Sequence, residues 1–464
     1  MTTKTQLVQT HIIEKIQWQV YHPNTRIPSV RDMANKLGVS PYTVSQAYDN
    51  LVAQGYIYAR QGAGYFVREP KEIQKTHAVS LPSMTNNVLD TGWLLTHLFN
   101  DLPRTRASGS GLLPPDWLMP KKHMLSASRK VINELDYVYE YGHLQGYRGL
   151  REQFARQLDN MGICAHPSMM ITTTGVSAGI VTIVQAMCNV GDTVVVDDPT
   201  WFWIIGSLQN LGMNVVGVTR SADGVDLEQL EAILQHYQPK LYITNTTLHN
   251  PTSYNITPTS VFAVLQLMEK YDCYVVEDDV YSAFNPEKTM VRYATLDGFK
   301  RVFYLNGVSK VLGGNWRIAL TVCPEKHLQA VLRQKMLSNM TCPEMTERTI
   351  TYIWQDPAFT KHEKRIQARL AKAHHTLIKR LKKYGFIPPT DSNPCLFLWL
   401  DLSNEGIVDT AELALQAHKD KWLVAPGHLF SPTGRFKHHI RLNVTRTSDE
   451  FLQWLRNYIQ GVCG

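Results

Sequence analysis

One lysine stands where an apolar run of the chain enters a short polar turn. Lys310 ends the segment Leu305-Asn306-Gly307-Val308-Ser309-Lys310, and Arg317 follows seven residues later. Ligand sites form at the ends of strands in parallel sheets. A partly desolvated lysine there can form a Schiff base with an aldehyde, and an arginine can grip a phosphate with its planar fork. A single lysine is more often a solvated surface charge, so the interpretation depends on its neighbours.

Polar residues after two other apolar runs have the chemistry to serve the same ligand. Asp278 ends the run Tyr274-Val275-Val276-Glu277, and Tyr281 lies three residues further on. A buried carboxylate opposite a pyridine nitrogen keeps such a ring protonated, and a phenol can hydrogen-bond a ring oxygen. Asn250, within His249-Asn250-Pro251-Thr252, can donate to that oxygen. The alternatives are a helix cap for Asp278 and a turn-forming Asn-Pro for Asn250.

Two further motifs suit a phosphorylated, flat ligand. Thr174-Gly175-Val176-Ser177 joins a threonine-rich segment to a helical one. Its amide hydrogens and the helix dipole would form an anion site. Trp201, after Asp198-Pro199-Thr200, offers a ring for stacking, although a large aromatic residue is more often part of a core.

Three amphipathic helices and a hairpin are predicted at the amino-terminal end. The first helix spans residues 4–20, the second lies between its cap Ser29 and Gly38, and the third lies between its cap Ser40 and Gly55. Two short strands then flank a glycine turn, so the pattern is that of a winged helix-turn-helix. The apolar faces are Val8, Ile12, Ile13, Ile16 and Val20, then Val30, Met33, Ala34 and Leu37, then Val44, Ala47, Tyr48 and Leu51.

The rest of the chain predicts a separate α/β domain. Polar residues without periodicity indicate a linker at 71–87, after a first domain of residues 1–70. Alternation of buried strands and helices over residues 88–464 predicts a largely parallel sheet covered by helices. The strand-like runs are 193–196, 241–244, 274–276 and 302–305, and helical stretches include 177–189 and 261–270.

The candidate site residues occur in the order and spacing of the fold-type I aminotransferases, and residues 88–464 resemble that superfamily. The resemblance implies pyridoxal 5'-phosphate as cofactor, joined to Lys310 as an internal aldimine. Asp278 would face the pyridine nitrogen, Asn250 and Tyr281 the ring oxygen, and Trp201 the ring. The phosphate contacts that it implies are Gly175, Val176, Ser177, Ser309 and Arg317, with Tyr141 reaching the phosphate of a neighbouring subunit.

The same resemblance assigns Arg441, in His439-Ile440-Arg441-Leu442-Asn443, to the carboxylate of a substrate or effector. A strand-edge salt bridge is the alternative for this arginine. The chain departs from the family pattern at three places. Gly307 stands where many relatives have a hydroxyl residue, Ser253 replaces a glycine, and the loop 313–316 lacks its usual proline.

The first 70 residues resemble the GntR-type winged helix, through Arg26–Arg31, Val44–Tyr48 and Arg60–Val67. With the aminotransferase-like domain, this is the architecture of the MocR-type regulators. The resemblance implies backbone phosphate contacts, a third helix in the major groove and a wing tip near the minor groove of double-stranded DNA. The implied DNA-binding residues are Arg31, Ser40, Tyr42, Thr43, Gln46, Arg60 and Gly62.

The net charge permits nucleic-acid binding without establishing it, and the cysteine content fits a reducing cytoplasm. The chain has a net charge of +7, but residues 1–70 carry seven Lys/Arg against four Asp/Glu, and the third helix has no cation. Seven scattered cysteines have no metal-ligand spacing, which indicates a reducing compartment and no metal site. No run approaches the ~20 apolar residues of a membrane span.

These expectations combine into a homodimeric transcriptional regulator that binds an operator. Its aminotransferase-like domain would sense an amine, an amino acid or a B6 vitamer by aldimine formation. The alternative is a functional aminotransferase that carries a DNA-binding domain, and a cofactor-free scaffold is a third class.

Overall fold

The chain divides into two compact units, residues 1–87 and 88–464. The predicted linker at 71–87 lies outside the described residues, and its bounds stay a prediction. The computed structural model describes residues 3–17, 20–68, 90–99, 106–134 and 139–463.

The amino-terminal unit has three helices and an antiparallel hairpin, as predicted. Ser29 Oγ accepts from the Asp32 amide at the start of the second helix, and Gly38, at φ +63°, ends it. Ser40 caps the third helix by accepting from the Thr43 amide at 3.1 Å. The elements are α1 Lys4–Gln17, α2 Val30–Leu37, α3 Pro41–Ala53, β1 Ile57–Arg60 and β2 Gly64–Val67.

The predicted apolar faces form one core, with a correction at the end of α1. Val20 is 54% exposed and lies beyond the helix. The Val20 and Tyr21 amides both donate to the Lys15 carbonyl, so the chain turns away before Val20 reaches the core. The buried residues are Val8, Ile12, Ile27, Met33, Ala34, Val44, Ala47, Tyr48, Leu51, Ile57 and Val67.

The large unit is built on an eight-stranded mixed sheet of order β3-β10-β9-β8-β7-β4-β5-β6. Strands β9, β8, β7, β4 and β5 are mutually parallel, and β3, β10 and β6 are joined through antiparallel pairs. Every residue of β3, β7 and β8 is buried, as expected for strands covered on both faces. The strands are β3 Met170–Thr173, β4 Thr193–Asp198, β5 Asn214–Ser221, β6 Gly224–Val225, β7 Leu241–Asn245, β8 Tyr274–Asp278, β9 Val302–Gly307 and β10 Ala319–Val322.

Helices and a second, three-stranded antiparallel sheet complete this unit. The small sheet has the order β11-β13-β12, with Trp399 opposite Arg441. Its strands are β11 Phe397–Asp401, β12 Ala425–Pro426 and β13 His439–Asn443. The helices are α4 Thr91–Phe99, α5 Lys121–Ile132, α6 Arg148–Asp159, α7 Val176–Met187, α8 Phe202–Asn210, α9 Leu227–Tyr237, α10 Pro258–Lys270, α11 Tyr293–Asp297, α12 Glu325–Asn339, α13 Glu344–Gln355, α14 Pro357–Lys383, α15 Thr410–Lys419 and α16 Asp449–Cys463.

The sheet brings distant parts of the sequence to one edge. Strand β3 runs parallel to β9, because both pair antiparallel with β10. The carboxyl ends of β3, β4, β7, β8 and β9 therefore lie at the same edge, where open α/β sheets bind ligands. Ala319, which begins β10, lies opposite both Thr173 and Gly307. Arg317, two residues earlier, consequently lies at this edge as well.

Candidate active site

Lys310 lies just after β9, at the end of the 3-10 helix Val308–Lys310. Its Nζ donates to the Gly111 carbonyl at 3.1 Å and lies 5.2 Å from the centre of the Tyr281 ring. Burial and, after it, the nearby charge of Arg441 together lower the pKa of Lys310 to about 8. A sizeable neutral fraction of this amine near neutral pH makes it a competent nucleophile toward an aldehyde.

Asp278 is the last residue of β8 and is buried. Burial raises the pKa of its carboxyl to about 7, against the opposing effects of the Val280 amide and the charge of Lys310. The Val280 amide donates to Asp278 Oδ1 at 3.1 Å. A protonated ring nitrogen brought to this carboxylate would compensate the cost of its burial.

Arg441, on β13, is 1% exposed and bonded to two other parts of the chain. Its Nη1 donates to Asn250 Oδ1 at 2.9 Å, and its Nη2 donates to the Gly109 carbonyl at 2.6 Å. The guanidinium lies 4.5 Å from the centre of the Phe397 ring. Burial lowers the pKa of Arg441 to about 10. No carboxylate of the described residues pairs with it, and its Nε has no hydrogen-bond partner among them.

Asn250 and Tyr281 are adjacent in the buried site. Asn250 Nδ2 donates to the Tyr281 hydroxyl at 3.4 Å, and burial raises the pKa of that phenol. Asn245, at the end of β7, links the two strand ends. Its Oδ1 accepts from the Asn250 amide at 2.9 Å, and its Nδ2 donates to the Asp278 carbonyl at 2.7 Å. The sequence interpretation did not single out Asn245, because a strand-terminal asparagine carries no signal of its own.

A buried polar network under the Asn250 turn was also missed. His249 Nε2 lies 3.4 Å from Asp197 Oδ2, and its Nδ1 lies 2.8 Å from Thr252 Oγ1. Tyr242 donates to the other Asp197 oxygen at 2.5 Å. Burial alone would raise the pKa of Asp197, but the His249 contact and the charge of Arg220 hold it below its usual value. The network anchors the backbone that presents Asn250.

Four of the predicted phosphate residues, Gly175, Val176, Ser177 and Arg317, lie together at the start of α7. Gly175 precedes this helix at φ +88°. Arg317 Nη2 donates to the Thr174 carbonyl at 2.8 Å and to Ser177 Oγ at 3.0 Å. A Cβ at Gly175 would lie 2.7 Å from that nitrogen. The guanidinium, the hydroxyl and the amino-terminal amides of the helix around this glycine, here called the phosphate cradle, are groups that could hold a phosphate.

Packing explains two departures from the family pattern. A Cβ at Gly307 would lie 3.2 Å from the side chain of the buried Val176, so α7 approaches β9 closely there. Ser309, half-buried on the 3-10 helix, is the neighbouring hydroxyl. Ser253 adopts φ +61°, where glycine is usual. Its Oγ donates to the Phe397 carbonyl at 3.0 Å, which compensates for the strained backbone.

Trp201 and Tyr141 are the two remaining predicted cofactor residues. Trp201 precedes α8, and its ring stacks on Trp203 with centres 5.0 Å apart. Tyr141 is 79% exposed. Within the described ranges, no hydrogen bond or ring contact joins either side chain to Lys310.

In the amino-terminal unit, the predicted DNA-binding residues lie on α2, at the cap and on the body of α3, and in the hairpin. Tyr42 is 77% exposed. Thr43 is half-buried, with its Oγ1 2.7 Å from Ser40 Oγ. Gly62 turns the hairpin at φ +74°. Arg26, which the sequence did not single out, lies against the hairpin: its guanidinium is 3.1 Å from the position that a Cβ of Gly64 would take. The remaining exposed residues of the set are Arg31, Ser40, Gln46 and Arg60.

Fold and site define a member of the class I and II aminotransferases. Residues 113–458 match the family model described as aminotransferase class I and II, about three quarters of the chain, and the chain belongs to this family. Residues 4–67 match the model of bacterial regulatory proteins of the gntR family. The MocR-type combination of the two is therefore confirmed.

Two similar proteins align with nearly the whole chain. An uncharacterized HTH-type transcriptional regulator of Escherichia coli K12, YdcR, is 28% identical, and the match covers 95% of this chain and 94% of that protein. A second one, YjiR, is 27% identical with the same coverage. The structure of an archaeal alanine:glyoxylate aminotransferase aligns at a TM-score of 0.72 with 21% identity, covering 80% of this chain and 95% of that one. This last likeness concerns the fold alone.

In the part of the chain that the structure describes, no helix has the length and apolar character to cross a membrane. Among those residues, no three His, Cys, Asp or Glu side chains are grouped so as to hold a metal ion.

Proposed function

We propose that this protein is a pyridoxal 5'-phosphate-dependent transcriptional regulator that binds an operator on double-stranded DNA. Its aminotransferase-like domain would sense an amine, an amino acid or a B6 vitamer. The observation that carries the proposal is the presence, on one chain, of a gntR-type domain and an assembled lysine, aspartate and phosphate site. The full-length similarity to two proteins named as regulators supports it. Binding an operator would place the protein in the cytoplasm.

The site residues fit the cofactor. Gly175 leaves a space beside Arg317 that a Cβ would fill, which suits a phosphate. Asp278 suits a protonated pyridine nitrogen, and Asn250 with Tyr281 suits the ring oxygen. When bound, the cofactor supplies an aldehyde and an electron-withdrawing ring. Lys310, with its lowered pKa, would hold it covalently.

Among the candidate effectors, an amino acid is supported most directly. Arg441 is a buried cation, and its Nε has no partner among the described residues. A buried donor without a partner costs about 1–3 kcal/mol, which an incoming carboxylate would relieve. An amine without a carboxylate would leave that cost in place.

Regulation requires that the effector bind two states of the protein unequally, because equal binding shifts no population. Two arms of one experiment test this. Purified protein is titrated at fixed salt with DNA from its own promoter region, with and without amino acids. Preference over bulk DNA is expected, and it should change with one effector. Equal affinity for both DNAs would reject the function.

The cofactor is tested separately by the visible spectrum of the protein with pyridoxal 5'-phosphate. Borohydride reduction and peptide mapping are expected to label Lys310 alone. A colourless protein at saturating cofactor, or a label on a different lysine, would reject the assignment.

We propose a homodimer in which Tyr141 reaches the phosphate of a second copy. Its segment is held on the large unit, since Lys335 Nζ donates to the Leu144 carbonyl. Two exposed apolar side chains lie near Lys335 in the sequence, at the end of α12. Leu337 is 74% exposed, and Met340, just past the helix, is 52% exposed. Light scattering of the eluting protein would give a dimer mass, and a monomer that still binds cofactor tightly would overturn this arrangement.

A second candidate function is a working aminotransferase, favoured by Lys310 lying within reach of the charges of the buried Asp278 and Arg441. Turnover of an amino acid and keto acid pair at ~1 per second or faster would support it. Binding that stops after one stoichiometric event would support the sensor.

A further inference from the structure

The positive charge of the protein is concentrated on one helix, α14. The 27 residues of α14 contain nine Lys/Arg and one acid, Glu363, for a net charge of +8. The whole chain has a net charge of +7, so the other 437 residues sum to −1. The cations are Lys361, Lys364, Arg365, Arg369, Lys372, Lys379, Arg380, Lys382 and Lys383.

Seven of these cations form a continuous exposed line, here called the basic stripe: Lys361, Lys364, Arg365, Lys372, Lys379, Lys382 and Lys383. At 100° per residue, they fall within about 100° of the helix circumference, and they span about 33 Å of its length. The opposite face is apolar and buried, with Ile366, Leu370 and Leu377 in the core. The helix is thus anchored on one side and presents the basic stripe on the other.

Nearby acids neutralise the edges of the helix but not the stripe. Arg369 pairs with Asp116 at 3.1 Å, and Arg380 pairs with Asp449 at 2.9 Å. Glu363 pairs with Lys288 at 3.6 Å. Within the described ranges, no stripe residue forms an ion pair. Seven like charges over this length repel one another and attract a polyanion.

We infer that the basic stripe binds the phosphate backbone of double-stranded DNA, independently of base sequence. The inference rests on the proposed function. Duplex DNA carries one charge per about 1.7 Å of axis, so a 33 Å line faces close to one helical turn of phosphates. Six of the seven cations are lysines, whose compact ammonium groups bind phosphate as point charges. The winged domain has few cations of its own, with a net charge of +3 over residues 1–70.

A membrane surface fits the stripe less well. Peripheral membrane helices insert an apolar face beside their basic one. The apolar face of α14 is buried within its own unit, and the exposed face is polar apart from Ala368. Anionic vesicles therefore serve as one arm of the test.

The test uses the full chain loaded with cofactor and two fourfold variants. The stripe variant is Lys364→Gln, Lys372→Gln, Lys379→Gln and Lys382→Gln. The matched control removes the same charge from exposed lysines elsewhere: Lys300→Gln, Lys419→Gln, Lys421→Gln and Lys437→Gln. Affinity for promoter-region DNA and for bulk DNA of equal length is measured against salt concentration.

The stripe variant is expected to lose about tenfold or more in affinity for both DNAs near 0.1 M salt. The slope of log affinity against log salt should fall by up to about 3.6, while the preference for promoter DNA is retained. The control should change less than twofold. A stripe variant with the parent's slope and preference would overturn the inference and leave the proposed function intact.

Absence of preference in the parent itself would instead reject the proposed function. If the stripe variant loses binding to anionic vesicles while its DNA binding is unchanged, the assignment of DNA as the ligand is overturned. If the fourfold variant fails to fold, the pairs Lys364→Gln with Lys372→Gln and Lys379→Gln with Lys382→Gln are measured. Each pair should lower the slope by about half as much.

Discussion

Arg441 and Asn250, 191 residues apart in the chain, are joined by a 2.9 Å hydrogen bond from guanidinium to carboxamide oxygen. The residue proposed for the effector carboxylate is thus tied to the residue proposed for the cofactor ring. A carboxylate that takes this guanidinium donor would release Asn250 Oδ1. Effector binding would then alter the hydrogen bonding of Asn250, whose side-chain nitrogen donates to the Tyr281 hydroxyl.

The charge of Arg441 should be measurable through Lys310. Because the charge of Arg441 lowers the pKa of the Lys310 amine, the substitution Arg441→Gln is expected to raise that pKa above about 8. The amine reacts when deprotonated, so the rate at which cofactor attaches to the apoprotein should rise through about pH 8 in the parent. In Arg441→Gln the midpoint should move to higher pH, and Arg441→Lys should restore most of the parent value. Absorbance against time at each pH measures the rate, and superimposable profiles would contradict the coupling.

Two glycines give a matched test of the phosphate cradle. Gly175 and Gly191 have φ of +88° and +91°, so alanine costs a similar backbone strain of about 1 kcal/mol at each. Only the methyl at Gly175 would meet Arg317, whereas nothing lies within 4 Å of one at Gly191. Gly175→Ala should lower cofactor affinity about tenfold or more, the value of one charge-assisted hydrogen bond. Spectroscopic titration measures it, and equal losses in both variants would exclude the cradle.

Two substitutions at α3 should separate an effect on helix stability from an effect on DNA binding. Ser40→Ala removes the cap of the Thr43 amide and should destabilise the helix by about 1 kcal/mol, seen as faster hydrogen exchange of α3 amides. Tyr42→Ala should leave that exchange unchanged, because the side chain is largely exposed. It should still weaken binding to promoter DNA. An unchanged affinity would remove Tyr42 from the DNA-binding surface.

Substituting the two adjacent aspartates at the end of β4 should lower the free energy of unfolding by different amounts. Asp197→Asn leaves Arg220 buried without its counter-charge, 3.9 Å away, and should cost about 3–5 kcal/mol. Asp198→Asn should cost less, because its partner Arg435 is half-exposed and can be hydrated. Because the folded-state pKa of Asp197 is depressed, its contribution is present at neutral pH and is lost as pH falls below 3.8. Urea unfolding followed by tryptophan fluorescence compares the variants.

The sequence predicted the side chains of the candidate site better than the backbone groups that contact them. Asp278 ends a buried strand, Lys310 and Asn250 follow buried strands, and the strand order brings all three to one edge. Gly109 and Gly111 contribute carbonyl oxygens, which any residue possesses, so no residue type marks them. Their positions follow from tertiary contacts that span more than 190 residues.

Local patterns also predicted the caps and the core of the amino-terminal unit, because those depend on neighbours within a few residues. The end of α1 differed, since a single apolar residue at helical spacing does not reveal where the chain turns. Asn245 and Asp197 escaped notice for a related reason. Their partners come from other strands, and one sequence does not display such pairings.

The site draws on backbone from Gly109 to β13, where Asn443 Nδ2 donates to the carbonyls of Ser110 and Leu112. Synthesis proceeds from the amino-terminal end, and domains fold as units as they emerge. The winged domain has its own core within residues 8–67. A chain that ends before β13 would therefore keep the winged domain and lose Arg441. On the proposed function, such a fragment would bind DNA without responding to the effector.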